Sequence, residues 1–164
     1  MTNRILTTLL LWTLLLIGTR TFAADGDQVS ATLHAFQVVT SGKDVKLVPT
    51  TQANPGDVIE YQVTYQNNGK TPARQVLATL PVPEGGMAYI DGTATPATLM
   101  ASLDGKTFAP APLKRQFVRN GRRQSEPVPA SEYRFLRWDL GELAPGQSVT
   151  VTSRMRLGDA GKRS

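Results

Sequence analysis

The chain of 164 residues contains no cysteine and a single histidine, His34. Without cysteine there is no disulfide, no thiol nucleophile, no iron–sulfur ligation and no Cys-type zinc site. A lipid anchor on a cleaved cysteine is excluded for the same reason. A folded domain must then stand on its hydrophobic core alone. No segment carries a sustained 3.6-residue apolar period of helical length. Acidic residues are scattered singly, including Asp57, Glu60, Glu84, Asp91, Asp104, Glu132, Asp139 and Glu142. Paired carboxylates for acid–base work are therefore not evident. Neither a Walker A nor a Gly-x-Gly-x-x-Gly motif precedes a helical pattern, and no Gly-x-Ser-x-Gly elbow is present.

One long apolar run exists, and it lies at the start. Arg4 precedes Ile5–Ile17, and Thr21-Phe22-Ala23 places small residues at the −3 and −1 positions of a cleavage site. The run is short of the roughly 20 apolar residues that a membrane-spanning helix needs. It reads as a secretory signal peptide over residues 1–23. The chain is expected to be exported, to a bacterial periplasm, to the cell surface or into the medium as a secreted protein. Cleavage leaves roughly 140 residues, one domain's worth of chain. It also removes Arg4 and Arg20, which lowers the formal net charge of +5 by two. A mildly basic domain says little about partners.

What remains alternates with period two. Strands are expected near 32–40, 45–48, 57–66, 74–80, 87–90, 98–103, 133–140 and 148–157, with turns at Ser41-Gly42-Lys43-Asp44, Asp91-Gly92 and Asp104-Gly105. Asp-Gly at 104–105 reads as a two-residue hairpin turn. In the run 57–66, Ile59, Tyr61, Val63 and Tyr65 alternate with Glu60, Gln62, Thr64 and Gln66. Val149, Val151, Met155 and Leu157 similarly face away from Thr150, Thr152, Arg154 and Arg156. One apolar and one polar face favours antiparallel pairing. Seven or eight short strands punctuated by Gly, Pro, Asn and Asp predict an all-β antiparallel sandwich. One domain is expected over 32–158, after a flexible 24–31 and before a tail at 159–164. Asn67, Asn68 and Gly69 are expected to supply left-handed backbone beyond the third strand.

Two phrases repeat. Pro55-Gly56-Asp57-x-Ile59-x-Tyr61-x-Val63-x-Tyr65-x-Asn67-x-Gly69 is followed by Pro72-Ala73 and Leu80-Pro81. Trp138-Asp139-Leu140-Gly141 then precedes Leu143-Ala144-Pro145-Gly146 and the last alternating strand. Across about residues 47–157 this resembles the bacterial conserved-repeat domain known as domain of unknown function eleven. The resemblance implies an immunoglobulin-like sandwich of cell-envelope and surface proteins, noncatalytic and acting through protein–protein contact or structural presentation. Such domains usually occur in tandem, whereas this chain holds one copy. Ala78 stands where members commonly carry an acidic residue, so no carboxylate-assisted crosslink is implied. No cofactor or metal is expected.

The segment 109–131 departs from that pattern. Pro110, Pro112, Pro127 and Pro129 flank Lys114, Arg115, Arg119, Arg122 and Arg123, with no acid before Glu126. It reads mainly as a long basic loop, of the kind that is often functional. Its five cations are the candidate contact for a polyanion: lipopolysaccharide, anionic lipid or nucleic acid. The competing reading is an ordinary solvated loop. His34 reads as an exposed strand residue, because no nucleophile or orienting acid accompanies it. Carbohydrate binding would require Trp138 or several tyrosines exposed on one face.

Overall fold

The computed structural model describes residues 28–158. The signal peptide expected at 1–23 and the tail expected at 159–164 lie outside the described residues.

Eleven strands form among them: β1 (Val29–Ser41), β2 (Asp44–Pro49), β3 (Val58–Asn67), β4 (Ala73–Pro81), β5 (Met87–Tyr89), β6 (Met100–Ser102), β7 (Ala109–Pro110), β8 (Lys114–Arg119), β9 (Arg122–Pro127), β10 (Phe135–Leu143) and β11 (Ser148–Leu157). All pairings are antiparallel. One sheet runs β2-β1-β3-β11-β5, a second runs β4-β10-β6-β7, and β8 and β9 pair only with each other. The two larger sheets form the expected all-β sandwich.

Alternation sets the core. From the first sheet, Ile59, Val63, Val151 and Met155 point inward, and from the second come Ala78, Leu80, Ala101, Leu136 and Trp138. Trp138 is 1% exposed, and its indole N–H donates to the Pro96 carbonyl at 2.9 Å. Tyr89 and Tyr133 stack with ring centroids 6.1 Å apart. Large apolar area with each polar handle satisfied is what a buried aromatic needs. Tyr61 and Tyr65 also pack against the core, and burial raises both phenol pKa values.

The two Pro-Gly phrases are type II turns. Asp57 N–H closes onto Asn54 C=O at 3.0 Å, and Gln147 N–H onto Ala144 C=O at 3.0 Å. Gly56 and Gly146 occupy the third position with φ of 90° and 75°, which that turn requires. They cap opposite ends of the β3–β11 pair. Gly56 N–H reaches Leu157 C=O at 2.7 Å, and Gly146 N–H reaches Asn67 C=O at 2.8 Å. Each turn therefore opens one strand and ties off its neighbour.

Five expectations change. β1 begins at Val29, so 29–31 is strand and not part of a flexible lead-in; its pairing with β3 runs to Val29–Asn67. The segment 109–131 is not a loop, because β8 and β9 form a hairpin about Asn120-Gly121, both at positive φ. Asn-Gly in that conformation matches the twist of the flanking strands. Asp104-Gly105 is not a two-residue turn. The Asp104 carboxylate instead accepts N–H bonds from Lys106 and Thr107, each at 2.8 Å, and shapes the longer 103–108 connection. None of Asn67, Asn68 and Gly69 adopts positive φ. Asn67 is fully buried and works through its side chain, donating to Thr71 and Leu143 carbonyls and accepting from Gly69 N–H. Finally, eleven strands replace the seven or eight expected.

Candidate functional site

Most of the scattered acids are occupied by structure. Asp57 accepts the Asn54 N–H at 2.8 Å, and Asp139 accepts the Gly141 N–H at 2.9 Å. Glu60 binds Arg154 at 2.8 Å and Gln62 at 2.7 Å. The backbone N–H bonds from Thr107 and Lys106, with the Ser102 hydroxyl, pull the Asp104 pKa down to about 2. Such bonds favour the charged form. His34 is exposed on β1, its ring 6.4 Å from that of Phe36. Trp138, Tyr133 and Tyr89 are all buried, so none of them offers a sugar-stacking platform. Among the described residues there is no group of three or more His, Asp or Glu that could hold a metal ion. Nor is any helix there long and apolar enough to cross a membrane.

Two exposed features remain. The first is the basic hairpin, which the structure assembles from all five predicted cations. Pairing places Arg119 directly opposite Arg122, Val118 opposite Arg123 and Arg115 opposite Glu126. Alternation then puts Arg115, Phe117, Arg119 and Arg122 on one face and Lys114, Val118 and Arg123 on the other. Arg115 is ion-paired with Glu132 near the base, whereas the tip holds three arginines and no acid. Val118 is 69% exposed. The hairpin's mount is firm: Leu113 and Val128 are buried, Val128 N–H bonds Leu113 C=O at 2.8 Å, and Leu113 N–H bonds the Tyr133 hydroxyl at 2.9 Å. Beside the mount lies an open cleft of about 280 Å³, lined by Leu103, Ala109, Leu113, Lys114 and Val128 among others.

The second feature was not singled out from sequence. Register places Leu33 beside Val63 and Gln37 beside Ile59, so the odd-numbered residues of β1 share the core-facing side. In β2 that side carries Asp44, Lys46 and Val48, and the other carries Val45, Leu47 and Pro49. Yet Leu33 is 54% exposed and Val45 52%, with Val39, Leu47 and Val48 exposed as well. The second sheet does not reach over this end of the first. The β1–β2 ribbon therefore shows apolar side chains to water on both faces. Neighbouring apolar pairs such as Val38-Val39 and Leu47-Val48 suit a strand covered from both sides; the signal was legible as those dipeptides.

The backbone of β2 is open too. Thr50 N–H bonds Ala35 C=O at 3.0 Å, and with the β1–β2 register this turns the groups of 44, 46 and 48 toward β1. Those of Val45 and Leu47 point away, into solvent. Comparison with protein-family models, curated proteins and solved structures returns no match.

Proposed function

We propose that this chain is a noncatalytic immunoglobulin-like module of a bacterial cell envelope, exported by its leader, which works by accepting a strand of a protein partner along β2. The single observation that carries this reading is the ribbon open on both faces and along its edge. The other sheet margins carry defences against strand addition. β5 and β7 are only three and two residues long. β4 is broken by Gln75 at a φ of 55°, opposite the irregular pairing around Gly141. β2 has six exposed residues, and its guards are Asp44, Lys46 and Pro49, none of which covers the outward main-chain groups of Val45 and Leu47. Main-chain bonds along such an edge give affinity, and flanking apolar side chains give specificity. The two type II turns and the buried Trp138 support the resemblance to the conserved-repeat domain.

The test is photocrosslinking in the exporting cell, with the crosslinker at Leu47 and, as control, at Thr64 in the sheet's middle. A protein adduct from Leu47 alone, lost when Val45→Pro removes an edge donor, is the expected result. An adduct that ignores the proline, or none at all, rejects the reading.

A second reading rests on the Arg119–Arg122 pair. Like charges directly opposite in a ribbon are destabilising, and a bound polyanion would relieve them. Replacing Lys114, Arg115, Arg119, Arg122 and Arg123 with Ser should then abolish salt-sensitive retention on a heparin-like resin without lowering the thermal transition. Unchanged retention excludes polyanion contact by this hairpin.

A further inference from the structure

We propose that the strand accepted along β2 is the β2 of a second copy, paired antiparallel about a two-fold axis at Val45. The inference rests on the β2 edge being a contact surface and names its occupant.

Symmetry restricts the choice sharply. In a two-fold antiparallel pair, one residue lies opposite its own equivalent, and that residue fixes every other pairing. Centring on Asp44 sets two carboxylates against each other, and centring on Lys46 does the same with two ammonium groups. Like charges directly opposite are unfavourable. Centring on Leu47 sets Val45 opposite Pro49 of the second copy, which has no N–H to give. Centring on Val45 has none of these faults. Val45 and its equivalent exchange both main-chain bonds, because the free N–H and C=O of Val45 already face outward. Asp44 then lies opposite the second copy's Lys46, and Lys46 opposite its Asp44.

The geometry of those two pairs is the close one. Residues flanking a hydrogen-bonded pair form non-hydrogen-bonded pairs, with Cα atoms about 4.5 Å apart and side chains nearest. Both ion pairs sit on the core-facing side of the sheet, beside exposed Val39 and Val48. On the opposite side, Val45 meets its equivalent and Leu47 sits diagonal to it, which covers two side chains now in water. The charges that guard β2 against arbitrary strands thus become complementary to β2 itself. Joining the two five-stranded sheets gives one continuous sheet with the β2 edges consumed.

Sedimentation velocity on the full chain, produced in a bacterium that exports it, reads the outcome. The wild type should show a concentration-dependent monomer–dimer equilibrium. Asp44→Lys and Lys46→Asp should each weaken the dimer about tenfold or more, since each converts both attractive pairs into repulsive ones. An equimolar mixture of the two single variants should dimerise again, because one copy then presents only ammonium groups at these two positions and the other only carboxylates. The double variant should dimerise with itself. Both positions are exposed, so the thermal transition read at concentrations where the wild type is monomeric should be unchanged and serves as the folding control. A wild type that stays monomeric, or a dimer indifferent to these reversals, overturns the proposal. If the chain is monomeric while Leu47 still crosslinks a different protein, self-pairing falls and the edge reading survives. If neither occurs, both fall.

Discussion

The Tyr133 hydroxyl accepts the Leu113 N–H at 2.9 Å, with Tyr133 1% exposed and its ring stacked on Tyr89. A core aromatic thus holds the strand that leads into the basic hairpin. Tyr133→Phe keeps the ring but leaves that buried N–H without a partner, a loss of about 1–3 kcal/mol. Urea titration should show the lower midpoint with an unchanged slope. Hydrogen exchange should further show faster exchange at Leu113 and Val128 than elsewhere in the core. A variant as stable as the parent would mean that the hairpin is mounted by apolar packing alone.

The arginines at the hairpin tip make a second prediction. Arg119→Glu replaces the like pair with an opposite one, worth about 0.2–1 kcal/mol in a cross-strand position. Protection of the hairpin amides should rise while retention on a heparin-like resin falls. Arg115→Glu, the same change of charge made near the hairpin base, should reduce retention less. Equal losses from the two variants would show that the resin senses net charge and not the tip.

How much of this was legible in the sequence depends on the range of the forces involved. The alternation of Ile59, Tyr61, Val63 and Tyr65, and of Val151 and Met155, is set by side chains within one strand, and it located the core faces correctly. The Pro-Gly phrases carry their own turn geometry, so their role was readable as well. The Asn120-Gly121 turn was readable in principle, but the prolines and arginines around it suggested irregular chain. Asp104-Gly105 misled in the opposite direction, because the Asp104 carboxylate bonds the backbone ahead of it and lengthens the loop. The open β2 edge depends on how far the second sheet extends; Val38-Val39 and Leu47-Val48 mark apolar residues on both faces of the ribbon but not what, if anything, covers them.

Asp104 gives a prediction in pH. Its folded pKa, about 2, lies below its ordinary value of 3.8, because Thr107 N–H, Lys106 N–H and the Ser102 hydroxyl favour the carboxylate. A depressed carboxyl contributes stability that is fully present above the unfolded pKa and is lost as pH falls through the folded one. The contribution should therefore fade between about pH 4 and pH 2. Asp104→Asn keeps one acceptor oxygen but cannot ionise. The gap in melting temperature between parent and variant should be largest at about pH 5 and shrink toward about pH 2. A gap constant over that range would remove Asp104 from the acid response.

The two type II turns provide the last comparison. A Cβ at Gly56 or at Gly146 would meet nothing within 4 Å, yet both residues hold positive φ. Alanine at either position is therefore penalised by backbone conformation alone, by about 1–2 kcal/mol. Because the turns are alike and cap opposite ends of the same strand pair, Gly56→Ala and Gly146→Ala should lower stability by similar amounts. They share no partner, so the double variant should show the sum. Asparagine, which enters the left-handed region more readily, should cost less at both sites. Unequal losses would show that one turn carries strain or contacts that the other lacks.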